Sequence, residues 1–279
     1  RARGRTGADL FERAGLVDTT RSARGLMDDI DDYAALGFDP TPIAPAVRAF
    51  YERTNDFTLH VVPHWRPGFR LSGRIWRRIA RAIGQLNLPW DERSAVHAVN
   101  CRIVPLRDDL DGRTAVRGWV RTYRRPASEG GGDGDPIYIA AYSSHVLDGV
   151  RTMNIAFPLP WSNMTSVLRL RPRDKGRGIS LTTLPNLSGD NPRDGDQGVY
   201  LVTPLAVLRL PLNETIDVWS ASESPDWTKE LPPPAGIDPA TVEVLAIHDM
   251  WLFGLHYLRL CYFIGRTEAA ASAGKNEDP

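Results

Sequence analysis

The spacing of hydrophobic residues along the chain changes from helical to strand-like. In the first fifty residues, and again between about 70 and 84, apolar side chains recur at helical spacing. From residue 94 onward the period is close to two, and short segments rich in β-branched and aromatic residues are separated by turn sequences such as Asp148-Gly149. The pattern therefore predicts N-terminal helices followed by about ten strands.

The predicted fold class is α+β, mainly antiparallel β. Strands that follow one another without intervening helices do not form a parallel sheet, so we predict a barrel or sandwich of about ten strands with the N-terminal helices packed on it. In segments such as YIAAY and IAFPL both the odd and the even positions are apolar, which indicates a sheet covered on both faces. We predict a helical segment (1–55), a β domain with one amphipathic helix (56–266) and a disordered tail (267–279).

Charge and composition exclude some classes of function. The sequence has 34 Lys and Arg against 34 Asp and Glu, so no net field attracts nucleic acid. No apolar run approaches the roughly 20 residues of a membrane helix, and no signal peptide is visible. The usual zinc-protease and serine-hydrolase signatures are absent. We therefore expect a cytoplasmic protein that works without a metal or cofactor.

The helix predicted at about 70–84 is basic and amphipathic. One face carries apolar residues and the other carries arginines, at Arg70, Arg74, Arg77, Arg78 and Arg81. We expect the apolar face, which includes Ile75 and Ile79, to pack on the sheet. A solvated basic face is the preferred interpretation of the arginines, and docking on an anionic membrane surface is the alternative.

The stretch MNIAFPLPWSNMTSVLRL places polar groups inside a strongly apolar region. Pro158 and Pro160 have no N–H to donate, so regular strand pairing should lapse between about 157 and 165. The freed backbone groups then need other partners. We expect the side chains of Ser162 and Asn163, or water, to supply them, so that Asn163→Ala costs roughly 1–3 kcal/mol.

Other polar side chains also interrupt apolar strands and form the candidate site. A single core histidine or asparagine is usually a satisfied packing residue, but the group as a whole is typical of a small-molecule pocket. We assign catalysis to His145, His248 and Glu214, with His145 or His248 moving a proton and Glu214 paired with a strand arginine. The residues predicted to bind substrate are Asn154, Asn163, Arg209, Tyr142 and Trp251.

Several strings identify a family resemblance. FYERTNDFTLHVVPHWRPGFR, IYIAAYSSH, MNIAFPLPWSNMTSVL, RLPLNET and AIHDMWLFGLHYLRLCY together resemble the soluble region of YndJ-like bacterial proteins, over roughly residues 46–265. The family's function is uncharacterised, so the resemblance implies no catalytic residue. Some members are similar to such a region joined to membrane-spanning helices, which this sequence lacks. By analogy with other stand-alone β-folds, the resemblance also suggests a place in specialised metabolism.

Three functions remain open at this point. The first is a cofactor-independent enzyme of the cyclase, isomerase or dehydratase type, acting on an apolar small molecule inside the barrel. The second is a non-catalytic carrier of a lipid or another hydrophobic ligand in the same cavity. The third is a structural or interaction module whose polar strand residues serve packing.

Overall fold

The computed structural model describes residues 2–89, 98–110, 113, 115–124, 133–185, 195–267 and 270. The tail predicted to be disordered lies almost wholly outside these residues. The strands, in chain order, are β1 (Phe57–Trp65), β2 (Val99–Pro105), β3 (Arg117–Arg124), β4 (Asp133–Leu147), β5 (Val150–Leu159), β6 (Ser162–Arg173), β7 (Gly178–Thr182), β8 (Gly198–Val202), β9 (Val207–Arg209), β10 (Leu212–Ser220), β11 (Val244–Leu252) and β12 (Leu255–Arg266).

Ten of these strands close into an antiparallel barrel. The order around the barrel is β5-β4-β3-β2-β1-β12-β11-β10-β7-β6, and β6 pairs back onto β5 to complete the ring. The first part of β6 pairs with β8 instead of β7, and β9 extends this short flap. The predicted α+β, mainly antiparallel fold is confirmed, and of the two predicted architectures, barrel and sandwich, the chain forms the barrel. Closure is favourable because a closed ring has no edge strand with unpaired backbone N–H and C=O groups.

The helices are fewer and shorter than the hydrophobic pattern predicts. The α-helices are α1 (Leu10–Arg13), α2 (Pro45–Glu52), α3 (Arg70–Ile83) and α4 (Trp227–Glu230), and short 3-10 helices occur at Ile30–Tyr33, Thr54–Asp56, Pro67–Phe69, Asp108–Leu110, Asp174–Gly176, Ala221–Glu223 and Pro239–Thr241. Much of the N-terminal segment is irregular but still buried. Its apolar side chains, such as Leu26 and Ile30, join the barrel core, so packing rather than helix propensity holds the segment in place.

The two ends of the barrel differ. At one end lie α3 and the β5–β6, β8–β9 and β11–β12 turns, as shown by the paired strand ends Leu159–Ser162, Asn163–Val202 and Leu212–Leu252. We call this the α3 end. The opposite end is closed by the N-terminal segment, whose α2 packs against β10 and β11.

Helix α3 is present as predicted, but its apolar face does not pack on the sheet. Ile75 is 57% exposed and Ile79 46% exposed. The residues that α3 buries are Gly73 and Ala80, because small side chains allow close approach to the barrel end. The helix ends at Ile83, and the next residue, Gly84, adopts the left-handed conformation typical of a helix C-terminus. The prediction of a packed apolar face is therefore wrong.

The lapse in strand pairing predicted near Pro158 occurs only on the side facing β4, where pairing ends at Ala141–Ala156. On the other side β5 pairs regularly with β6 as far as Leu159–Ser162. The group that compensates on the β4 side also differs from the prediction. Continuing the β4–β5 register from the pair Ala141–Ala156 would place Ile139 opposite Pro158, which has no N–H. The side chain of Gln85 occupies the gap: its Nε2 donates to the carbonyls of Ile139 (2.8 Å) and Pro158 (3.0 Å), and its Oε1 accepts from the Ile139 N–H (2.9 Å).

The neighbouring polar residues contribute little to this repair. Ser162 donates a long bond of 3.4 Å to the Pro160 carbonyl, while the Pro158 carbonyl also accepts from Thr6. Asn163 is half-buried and its Oδ1 has no hydrogen-bond partner in the described part of the chain. The predicted role of Ser162 and Asn163 is therefore wrong for most of the freed backbone, because Gln85 and Thr6 reach it from a distant part of the chain.

Candidate functional site

An apolar cavity of about 130 Å³ lies inside the barrel. The N-terminal segment closes it at one end through Leu26, Phe50 and Tyr51, which are all buried. The half-buried lining residues, among them Leu86, Phe157 and Tyr257, belong to segments at the α3 end. The cavity therefore approaches solvent at the α3 end.

A histidine and a glutamate form a pair on the cavity wall. Nε2 of His248, on β11, lies 2.6 Å from Oε2 of Glu214, on the neighbouring strand β10. Both side chains are almost buried, and both line the cavity. When Nε2 carries the hydrogen and donates it to the carboxylate, Nδ1 is the nitrogen left to accept a proton. The pair is thus built as a base with an orienting carboxylate.

The charge state of Glu214 depends on His248. Burial by itself raises the pKa of the Glu214 carboxyl, but hydrogen bonds from His248 and Ser166 and the charge of His248 oppose it, and the net pKa lies below the ordinary value of 4.5. A lowered carboxyl pKa contributes stability that is fully present above pH 4.5 and is lost as the pH falls through the folded-state pKa.

Removing the histidine should reverse this shift. We expect the Glu214 carboxyl, followed by ¹³C NMR during a pH titration, to have a pKa below 4.5 in the wild type and above 4.5 in the His248→Gln variant, where burial is less strongly opposed. Circular dichroism establishes that the variant remains folded over the titration. A pKa that is the same in both proteins would contradict the proposed pairing.

Arg121 brings an unpaired positive charge to the cavity. Its side chain is 5% exposed and lines the cavity from β3. The guanidinium lies over the ring of Trp119 at 3.7 Å and near that of Tyr138 at 4.7 Å. Its Nε has no hydrogen-bond partner, and no carboxylate of the described chain lies within ion-pair distance of it. Arginine stays charged even when buried, so a buried cation for which the described residues supply no counter-ion faces this space.

Tyrosine hydroxyls surround the same guanidinium. Tyr138, Tyr142 and Tyr262 line the cavity, and burial raises the pKa of all three hydroxyls while Arg121 opposes that rise. The hydroxyls therefore stay protonated at neutral pH and are available as hydrogen-bond donors. Tyr142 is the one predicted substrate-binding residue that lies in the cavity.

His145 and Asn154 belong to a different cluster. Asn154 Nδ2 donates to His145 Nδ1 (2.9 Å), and His145 Nε2 bonds to Asp196 (2.8 Å). Side chains alternate across a strand, and the neighbours of Asn154, Met153 and Ile155, point into the cavity. The cluster therefore lies on the outer face of the barrel. The prediction that both residues share an interior with His248 is wrong.

The remaining predicted binding residues also lie outside the cavity. Asn163 does not line it, and Trp251 packs against the ring of His256 at 5.4 Å. Arg209 is exposed on the flap strand β9, and the predicted ion pair between Arg209 and Glu214 is not formed. The reason is topological: β9 pairs with β8 and not with β10, so an arginine five residues from Glu214 in the chain stays outside the ring.

Arg121 is the main residue that the sequence reasoning missed. It stands in the segment WVRTY with Trp119 two positions before it, so both share one strand face. Because alternate residues of a strand share one face, the position of Trp119 predicts that Arg121 also faces the aromatic interior of the barrel. Among the described residues, no group of three or more His, Cys, Asp or Glu is arranged to hold a metal ion.

The chain is similar to a protein of Bacillus subtilis (strain 168) described as uncharacterized membrane protein YndJ. The two are 30% identical over 240 residues, which is 86% of this chain and 38% of the relative. The chain thus spans well under half of the relative's length. No family model matches the chain, and no solved structure matches it.

The relative corrects one prediction and confirms another. The predicted cytoplasmic location is contradicted, because the relative is described as a membrane protein. No helix among the described residues is long and apolar enough to cross a membrane. The extent of the match agrees with the resemblance seen in the strings between residues 46 and 265. The chain belongs to the YndJ-like family.

Proposed function

We propose that the barrel binds a small apolar molecule that carries an acidic group, and that His248 transfers a proton on this molecule with the help of Glu214. The reaction would be an isomerisation, cyclisation or dehydration. One observation carries the proposal: a buried cation that has no carboxylate partner among the described residues and a buried histidine–carboxylate pair both line one apolar cavity. Pockets that bind small molecules combine apolar walls with a few such convergent polar groups.

Arg121 indicates the charge of the ligand. Burying an isolated charge costs several kcal/mol, and this cost is offset when a counter-ion with good geometry is present. Arginine binds carboxylates through two parallel hydrogen bonds, and Tyr142 and Tyr262 can add donors from the same wall. A ligand carboxylate in the cavity would therefore supply the missing partner.

The size of the cavity limits the part of the ligand that is enclosed. An engineered cavity of about 150 Å³ in another protein binds benzene, and the volume here is about 130 Å³. The enclosed part would then be a single ring or a short branched chain. A longer molecule would extend toward the α3 end, where the cavity approaches solvent.

Proton transfer is chemistry that the two side chains can perform together. Nδ1 of neutral His248 would take a proton from a ligand carbon, and the resulting imidazolium would return it to another position of the same molecule. The electron pair released by the first step forms the shifted double bond, so the isomerisation needs no other reagent. Glu214 keeps His248 in the tautomer with its hydrogen on Nε2 and stabilises the imidazolium that forms.

A non-catalytic carrier is the second candidate. Most of the lining is apolar, and the residues that close the far end of the cavity are buried aromatic and aliphatic side chains. Such a cavity would hold a hydrophobic ligand without changing it. The two candidates differ only in whether His248 exchanges protons with the ligand.

One experiment tests the proposal and separates the candidates. Thermal melting is measured with benzoate, with the β,γ-unsaturated acid 3-pentenoate, and with the neutral benzyl alcohol. The 3-pentenoate, whose C2 protons are allylic and lie beside the carboxyl group, is then incubated with the protein in deuterium oxide. We expect stabilisation by the acids but not by the alcohol, and incorporation of deuterium at a ligand carbon. His248→Gln should slow this incorporation by about 10²–10⁴-fold, the usual contribution of a general base.

The chain provides a matched control for the histidine. His145→Gln changes a histidine of the outer-face cluster and should leave both binding and exchange unchanged. Binding without exchange would favour the carrier. If none of the acids stabilises the protein, the proposal of an acidic ligand is wrong.

A further inference from the structure

The α3 end of the barrel concentrates exposed hydrophobic side chains. Among the described residues, 13 large hydrophobic side chains are exposed, and ten of them lie at this end. They come from four regions: α3, the β5–β6 turn, the β8–β9 turn together with strand β9, and the β11–β12 turn together with the first residue of β12. Large exposed apolar surfaces are uncommon on proteins that stay in water, and they mark binding surfaces.

Helix α3 separates its exposed side chains into an apolar stripe and a basic stripe. Leu71, Ile75 and Ile79 are spaced by four residues, so they lie above one another on one face. The five arginines of the helix lie on the other side, and α3 contains no acidic residue. The small residues that contact the barrel, Gly73 and Ala80, lie between these two faces. The packing therefore leaves both stripes exposed.

Two turns hold aromatic side chains outward in an unfavourable backbone conformation. Trp161 has φ 61° and is 64% exposed, and Phe253 has φ 50° and is 76% exposed. Positive φ disfavours bulky residues, and glycine or asparagine is the usual choice in such turns. Each turn thus combines local strain with an exposed aromatic ring, a cost that a binding role at the ring would offset.

From these observations we infer that the α3 end docks on the surface of an anionic lipid bilayer. An amphipathic helix with arginines on one face and Leu, Ile and Trp on the other lies in the membrane interface, with its apolar side in the acyl boundary. The aromatic rings of Trp76 and Trp161 suit the same depth, where tryptophan is enriched. The arginines complement anionic headgroups, and this charge pairing favours a lipid surface over a neutral apolar partner.

The carboxylates near the helix offset only part of its charge. Asp135 lines a surface pocket with Arg81, one of the five arginines of α3. Asp249, close to the β11–β12 turn, is bound by Arg259 through two bonds of 2.7 and 2.8 Å. Its charge is therefore balanced and does not cancel the arginines of α3. The opposite end of the barrel has three exposed large hydrophobic residues, Leu36, Val146 and Leu147, and the helix at that end, α2, buries its apolar side chains in the core.

Cosedimentation with vesicles tests the inference. The protein is mixed with vesicles of phosphatidylcholine alone or with about 30 mol% phosphatidylserine, at about 0.1 M and 0.5 M salt. We expect binding to the phosphatidylserine vesicles at low salt. It should be at least about tenfold weaker without the anionic lipid or at high salt.

Two double variants identify the surface. Ile75→Glu with Ile79→Glu should weaken vesicle binding at least about tenfold, because charges replace the apolar stripe. Leu36→Glu with Val146→Glu, at the opposite end, should bind as the wild type does. All four positions are exposed, so melting temperatures should stay unchanged, and the variants then report on docking alone.

Three results would overturn the inference. The first is a wild-type protein that does not sediment with the anionic vesicles. The second is binding that the double substitution in α3 leaves unchanged. The third, seen by analytical ultracentrifugation, is a wild-type dimer that fails to bind vesicles and that the α3 substitutions dissociate. This third result would assign the surface to a second copy of the chain.

Discussion

Replacing Gln85 with leucine should lower the free energy of unfolding by about 3 kcal/mol or more. The side chain is fully buried and bonds to both backbone groups of Ile139 and to the Pro158 carbonyl. Leucine has a similar size but no polar atoms, so the Ile139 N–H and C=O would lose their partners inside the protein. Each orphaned buried group costs about 1–3 kcal/mol.

The measurement is equilibrium unfolding in urea, with Asn163→Ala as the matched control. Asn163 is an amide near the same strand ends, but its Oδ1 has no partner in the described chain. Its removal should cost less than about 1 kcal/mol, less than the sequence pattern led us to expect. A Gln85→Leu protein as stable as the wild type would show that water or a shifted backbone replaces the amide.

Replacing Arg121 with methionine should strongly weaken ligand binding without destabilising the unliganded protein. Removing one partner of a buried charge pair costs about 2–5 kcal/mol of binding free energy, so affinity for an acidic ligand should fall at least about 30-fold. In the part of the unliganded chain that the structure describes, the guanidinium has no carboxylate partner. Replacing a buried charge by an apolar side chain of similar volume is often neutral or stabilising, although the contacts with Trp119 and Tyr138 are lost.

Titration calorimetry with the acids identified by thermal melting measures the first effect, and urea unfolding measures the second. Arg117→Met is the matched control, because Arg117 is also a buried arginine of β3 but pairs with Asp28 and does not line the cavity. It should leave ligand affinity unchanged. If Arg121→Met lowers stability by more than about 2 kcal/mol and leaves affinity intact, Arg121 is a packing residue.

The local features of the fold were predictable from neighbours in the chain. The change to a period of two indicates antiparallel strands because alternate side chains face opposite sides of a sheet. Pro158 marks the lapse in pairing because proline lacks an N–H wherever it stands. Glu214 and His248 stand out because charged and titratable side chains are rarely placed in apolar strands without a partner. Each inference depends only on residue type and local spacing.

The identity of the partners was decided by tertiary structure. Gln85 reaches Ile139 and Pro158 across 54 and 73 positions of the chain, and no local pattern indicates such a contact. Glu214 pairs with His248 and not with Arg209, because the order of strands around the barrel puts β11 beside β10 and leaves β9 outside.

The sequence by itself thus determined that the chain forms antiparallel strands, as a barrel or a sandwich, with polar groups among apolar strands and a basic amphipathic helix. Closure of the ring decided which polar side chains face the cavity. Alternate side chains of a strand point to opposite faces of the barrel wall, so His145 and Asn154 point outward and Arg121 points inward. Closure also decided that the stripe around Ile75 stays exposed, because the inward faces of the strands already fill the core. The physical reason is that the sequence shows which side chains share one face of a helix or strand. Only the packed structure decides whether another element or solvent covers that face.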